Sequence, residues 1–112
     1  MQQFEIWLAD LPDLPNSRVI HGYRPVIVVS KEKPEVSTLV TVVPLTTNLE
    51  RIDSPTHVLI EGQGLAQTSV ALCDQVLTVD RRLCSRCVSR LTSSFYRYAI
   101  IHGIARHLGF AA

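Results

Sequence analysis

Short apolar runs, each closed by proline, glycine or a polar cluster, divide most of this chain. Glu5 to Leu11 is aromatic and aliphatic and stops at Pro12, which reads as a first strand. Pro12, Pro15 and the pair Asn16-Ser17 then make a loop running to Gly22, because proline lacks the donor a sheet ladder needs. Val26 to Val29 is β-branched throughout and predicts a central strand buried on both faces. The charged stretch Lys31 to Ser37, with Pro34, reads as a hairpin connection, and Thr38 to Leu45 as the next strand, with Thr41 a polar break in it. Asn48 to Pro55 is a polar loop. His57 to Ile60 is a short strand ending at Gly62-Gln63-Gly64, where the glycines permit a sharp turn. Ser69 to Val79 is one long bent strand or two strands joined near Asp74, and Asp80 to Ser89 has no readable period.

The period changes only at the end. Thr92-Ser93-Ser94 offers N-cap hydroxyls, and Phe95, Ala99, His102 and Ala105 recur at helical spacing, as do Ile101, Ile104 and Leu108. Gly109 is a plausible stop. Gly103 inside the helix costs about 1 kcal/mol against alanine, or marks close packing. Many short strands followed by one helix predict a mainly β protein with a C-terminal helix, α+β in class. The expected form is a small, highly curved antiparallel sheet or barrel with the helix packed against it.

Composition narrows this further. At 112 residues, 46% hydrophobic and 19% charged, the chain suits a single ordered domain over 1–112 with one core. No apolar run approaches the roughly 18 residues that span a bilayer, so no membrane association is expected. The start, Met1-Gln2-Gln3-Phe4-Glu5, lacks the basic and apolar regions of a signal peptide, which predicts a cytoplasmic protein. Three cysteines, an odd number without an export signal, predict free thiols. A net charge of +1 does not announce a nucleic-acid binder, so any phosphate site must be local. Arg81, Arg82, Arg86, Arg90, Arg97 and Arg106 cluster late in the chain, as a solvated face or as a rim for RNA or an acidic partner.

Four places carry candidate chemistry. Arg24 opens a buried strand just after Gly22, which lets the preceding loop fold close to a ligand; a guanidinium can hold two phosphate oxygens at once. Thr46 and Thr47 follow Pro44 at a strand end, where hydroxyls either donate to a phosphate or cap a turn. Asp74 can accept a proton and Gln75 can read a base in single-stranded RNA, or the two close a strand bend. His21, three residues before Arg24, is suited to proton transfer near neutral pH. His57 reads as structural, and His102 and His107 belong to the helix. Cys84-Ser85-Arg86-Cys87 is a lone C-x-x-C without a second pair, which argues against zinc and against redox work, so no metal site is expected.

Ile6-Trp7-Leu8-Ala9-Asp10-Leu11, Arg24-Pro25-Val26-Ile27-Val28-Val29-Ser30, Val43-Pro44-Leu45-Thr46-Thr47 and Ser69 to Val76 together resemble the MazF/PemK family of toxin endoribonucleases. The resemblance also takes in Pro55-Thr56-His57-Val58, Gly64-Leu65 and Thr78-Val79-Asp80-Arg81, nearly the whole chain. It implies an SH3-like small barrel with helices, a homodimer, a protein antitoxin as partner and cleavage of single-stranded RNA by 2′-OH attack, with no cofactor. It implies that Arg24 and Thr46 are catalytic and that Asp74 matches the aspartate assigned as general base in some members; His21 stays beside Asp74 as a possible proton carrier on its own chemistry, and Ser17, Gly22, Thr47 and Gln75 are the candidate RNA contacts. The chain departs from the family pattern at four places. Phe4-Glu5 stands for Gly-Asp, Ile20 for a glutamine of the RNA-contacting loop, and Ser30-Lys31-Glu32 for Ser-Asn-Asp. Leu72 stands for the arginine that some members pair with the aspartate. These leave a weakly active, degenerate member as one alternative. The other is a non-catalytic poison of DNA gyrase like the related CcdB proteins, which act through a C-terminal Trp-Gly-Ile. Here the end is Gly109-Phe110-Ala111-Ala112 and the tryptophan is Trp7, which disfavours that reading.

Overall fold

The computed structural model describes residues 1–32 and 37–112, apart from the side chains of Arg51 and Asp53. Residues 33–36 of the expected hairpin connection lie outside the described residues. Among the described residues, seven strands precede one α-helix: β1 (Glu5–Leu11), β2 (Gly22–Val28), β3 (Leu39–Thr46), β4 (His57–Ile60), β5 (Ser69–Leu72), β6 (Leu77–Asp80), β7 (Cys84–Arg90) and α1 (Ser94–His107). The order across the sheet is β4-β5-β3-β2-β1-β7, with β6 also on β3, and all pairs are antiparallel. The sheet curls without closing, so it is an open form of the small barrel expected.

β3 is the hinge of this arrangement. Its first half, Leu39 to Val42, pairs with β6, and its last residues, Leu45 and Thr46, pair with β5. The exchange falls at Val43 and Pro44, and Pro44 has no N–H to give to a ladder. Opposite this break the chain makes the 3-10 turn Cys73–Gln75 between β5 and β6. Ser69 to Val79 is thus two strands joined at Asp74, the second of the readings its pattern allowed. The polar loop after β3 contains a further 3-10 turn, Leu49–Asp53, capped by the Asn48 side chain.

β7 shows why its stretch had no period. Trp7 lies opposite Cys87 and Ala9 opposite Cys84, so β7 spends three residues where β1 spends two. Such bulges break the alternation that identifies a strand, and they also blunt an edge against pairing with other chains.

Two apolar clusters occupy the two sides of the sheet. Ile6, Ile27, Val43, Leu45, Ile60, Ala71 and Cys73 join Leu91 and Ile100 of the helical end. Ala9, Leu11, Val26, Val28, Val40, Val42 and Val79 form the other. Consecutive residues of β2 alternate between them, so Val26, Ile27 and Val28 are all fully buried, as a two-sided strand requires. α1 starts where Ser93 Oγ accepts the Tyr96 N–H at 3.5 Å, and Gly109 takes φ +81° just beyond it. Gly103 is buried against the turn: a Cβ there would lie 2.9 Å from Cys73 Sγ and 3.0 Å from the Thr56 carbonyl oxygen. Close packing is therefore the reason for the glycine. No helix among the described residues is long and apolar enough to cross a membrane.

Candidate functional site

Arg24 and Thr46 are brought together by strand register. Val26 lies opposite Pro44 at the last pair of the antiparallel β2–β3 ladder, which leaves Arg24 and Thr46 just beyond its open end. Both border a cleft of about 240 Å³, with Tyr23, Thr47 and Ser69 on its rim. Arg24 also borders a second, wider hollow of about 570 Å³ with Ser17, Arg18, Ile20 and His21 of the β1–β2 loop. The guanidinium thus stands between two grooves.

Local chemistry holds each group. Gly22 has φ +89°, a conformation that favours glycine, and the turn it makes returns the His21 carbonyl to accept Arg24 Nε–H at 2.9 Å. Thr46 Oγ accepts the Asn48 N–H at 3.2 Å, which orients the hydroxyl with its own proton left to donate. Thr47 is exposed beside it. Ser17 Oγ accepts the Val19 N–H at 3.0 Å, and Gln75 Oε1 accepts the Ile20 N–H at 2.7 Å. Gln75 therefore ties the β1–β2 loop to the Cys73–Gln75 turn. His21 is exposed, with Nδ1 at 3.5 Å from Asp13 Oδ1, an ion pair when the ring is protonated.

Asp74 is not alone. His57 Nε2 lies 2.8 Å from Asp74 Oδ1, and the His57 side chain is 7% exposed against 36% for Asp74. His57 is the register partner of Leu72 on β5. Val58 and Ala71, also partners, face the helix-side cluster, so alternation turns His57 and Leu72 to the opposite side. Thr46 and its partner Val70 lie on that side too, and so does Arg24. One side of the sheet thus carries Arg24, Thr46 and His57, with Asp74 held by His57. The pairing was missed from sequence because His57 and Asp74 are 17 residues apart. Pairing the predicted β4 strand with Ser69–Leu72 across Gly62-Gln63-Gly64 was the signal that would have found it.

The thiols and arginines resolve in turn. Cys73, Cys84 and Cys87 are all free. Burial, and then the neighbouring Asp74 charge, push the Cys73 thiol up to about 12; burial raises Cys84 as well. Among the described residues no three His, Cys, Asp or Glu side chains gather as a metal site. Of the late arginines, Arg82 pairs with Asp80 at 2.9 Å, Arg97 binds the Leu91 carbonyl and lies over the Phe4 ring, and Arg106 binds the Pro55 carbonyl. The Asp80 carboxyl is lowered to about 2, chiefly by its hydrogen bonds from Arg82.

The open, curled antiparallel sheet with one C-terminal helix is a fold shared with a solved toxin structure. The family model for PemK-like, MazF-like toxins of type II toxin–antitoxin systems matches residues 2–98, and the chain belongs to this family. Among solved structures, it is similar to Mycobacterium tuberculosis toxin MazF-mt6, with 26% identity over 96% of this chain and 99% of that one and a TM-score of 0.76. MazF from Deinococcus radiodurans matches with a TM-score of 0.81 at 20% identity, covering 97% and 96% of the two chains. An endoribonuclease in complex with its cognate antitoxin from Mycobacterial species matches at 0.78 and 20% identity, over 100% and 98%. No curated protein sequence matches the chain.

Proposed function

We propose that this chain is a toxin that cleaves single-stranded RNA at short sequences by attack of a ribose 2′-OH on the adjacent phosphorus. The observation that carries the reading is the juxtaposition of Arg24 and Thr46 at one cleft, with a loop of small polar and basic residues beside it. As the 2′ oxygen bonds to phosphorus, negative charge builds on the non-bridging oxygens. Arg24 offers a permanent bidentate cation and Thr46 an oriented hydroxyl donor for that charge. The phosphorus–O5′ bond then breaks, leaving a 2′,3′-cyclic phosphate and a 5′-hydroxyl. His21 and Asp74 are the candidate proton carriers, since an arginine does not readily lose its proton. Ser17, Gly22, Thr47 and Gln75 border or brace the path of the strand. No step is routed through a metal.

The protein is expected to work as a homodimer in the cytoplasm and to be held in check by a protein antitoxin. Solved relatives include an endoribonuclease bound to its cognate antitoxin, which supports that partner class. The test is incubation of the purified protein with total RNA in EDTA, followed by mapping of fragment ends. Discrete cuts bearing 2′,3′-cyclic phosphate are expected. Intact RNA from a folded protein that still halts growth would replace this reading with a protein-binding poison.

A further inference from the structure

We propose that His57 and Asp74 act as one unit in proton transfer, Asp74 facing the substrate and His57 serving as the positioning residue behind it. The proposal rests on the ribonuclease reading above. A carboxylate only accepts hydrogen bonds, so at 2.8 Å the ring nitrogen Nε2 is the donor and its proton points at Asp74 Oδ1. That bond sets the orientation of the ring and the plane of the carboxylate together. The two groups differ in access: the His57 side chain is 7% exposed, whereas that of Asp74 is 36% exposed in the middle of the Cys73–Gln75 turn. The accessible partner is the one that can reach a ribose hydroxyl.

Placement supports the same assignment. His57, Arg24 and Thr46 lie on one side of the sheet by strand alternation, and Gln75, next to Asp74, bonds the loop that borders Arg24. His21 is the weaker candidate, because it sits on an exposed loop and the carboxylate it pairs with, Asp13, is 3.5 Å away on another exposed loop residue. A group that must hold a near-attack geometry is better set on a packed strand than on such a loop. In the reaction, the Asp74 carboxylate takes the proton from the 2′-OH as the 2′ oxygen bonds to phosphorus. The departing 5′ alkoxide takes its proton from water.

The experiment is a double-substitution series on a short RNA that the wild type cleaves, with kcat and KM measured apart. Asp74→Asn is expected to lower kcat about a hundredfold or more with KM little changed. His57→Leu should lower kcat at least tenfold, and His57→Gln, whose amide nitrogen can make the same bond, should recover part of that loss. On the Asp74→Asn background, His57→Leu should have almost no further effect, because residues acting as a unit are non-additive. A purely structural His57 would instead add its full loss in both backgrounds, and that result overturns the proposal. So does an Asp74→Asn protein with wild-type kcat, which would leave the roles of Arg24 and Thr46 standing. If Leu at 57 prevents folding, the Gln variant alone decides: loss as large as that of Asp74→Asn rejects the hydrogen-bond role. A wild type that cuts no RNA removes the parent reading as well.

Discussion

The two sides of the sheet at the β3–β5 junction are built from adjacent residues and have opposite fates. On one side Leu45, Ala71 and Cys73 are fully buried in the cluster that takes in Ile100 of α1, and that side is shut. On the other, Thr46, Arg24 and His57 stand beside a buried Val70 and Leu72, and that side stays partly open. A strand alternates every residue, so the same backbone that is anchored by apolar packing on one face can aim polar groups on the other. The contrast teaches that the helix-side face supplies rigidity and the opposite face supplies chemistry, and substitutions on the two should separate.

The largest effect is expected at Arg24. Replacement by alanine should lower kcat by about a thousandfold, the scale of losing a main donor to transition-state charge. The melting temperature should barely change, since the group is only half-buried. Thermal melting beside an RNA-cleavage assay reads both. Ile100→Ala, on the shut side, should do the reverse: about 2–5 kcal/mol of stability lost in denaturant titration, with the surviving folded fraction still cutting RNA. An Arg24→Ala protein that melts much earlier, or an Ile100→Ala protein that is stable but inactive, would dissolve the division.

A middle case couples the sides. Gly103 on α1 abuts both Cys73 and the Thr56 carbonyl, the immediate neighbours of Asp74 and His57. Gly103→Ala drives a methyl to 2.9 Å from Cys73 Sγ, tighter than a carbon–sulfur contact tolerates. About 1–3 kcal/mol of overpacking strain is expected, together with a fall in kcat because both segments must shift. Unchanged kcat at reduced stability would show that the turn and β4 yield without moving the His57–Asp74 pair.

How much of this was legible in the sequence follows the same division. β1 and β4 were readable to the residue, because Pro12 and the Gly62-Gln63-Gly64 turn punctuate them. α1 was readable because Ser93 and Gly109 mark its ends. β2 was anticipated only in its apolar half: Gly22, Tyr23 and Arg24 join the ladder through pairing with β1, which no local pattern announces. β7 stayed hidden behind its bulges. Arg24, Thr46 and Asp74 were reached through motif resemblance, whereas His57 was set aside. Its partner Asp74 stands in the turn just past Leu72, the residue that register sets opposite His57, a long-range placement that period and composition do not encode. Gln75 was read as a base contact or as a brace of the strand bend, and its side-chain oxygen holds the loop at Ile20.

The smallest effect lies inside the turn that joins the two sides. Cys73 faces the helix and Asp74 is held by His57, so neighbouring residues report on different environments. Burial raises the Cys73 thiol from 9 to about 12, so the folded state keeps its proton where the unfolded chain has lost it. Stability linked to this group is therefore fully present below pH 9 and declines as pH rises toward 12. The loss is of order 1 kcal/mol at pH 10, and it should be absent from Cys73→Ala when unfolding of the two proteins is compared from pH 8 to 10. In the same pH range iodoacetamide should alkylate the exposed Cys87 first and Cys73 last. Early alkylation of Cys73 would mean that the helix-side face opens in solution, and the rigidity assigned to it would have to come from elsewhere.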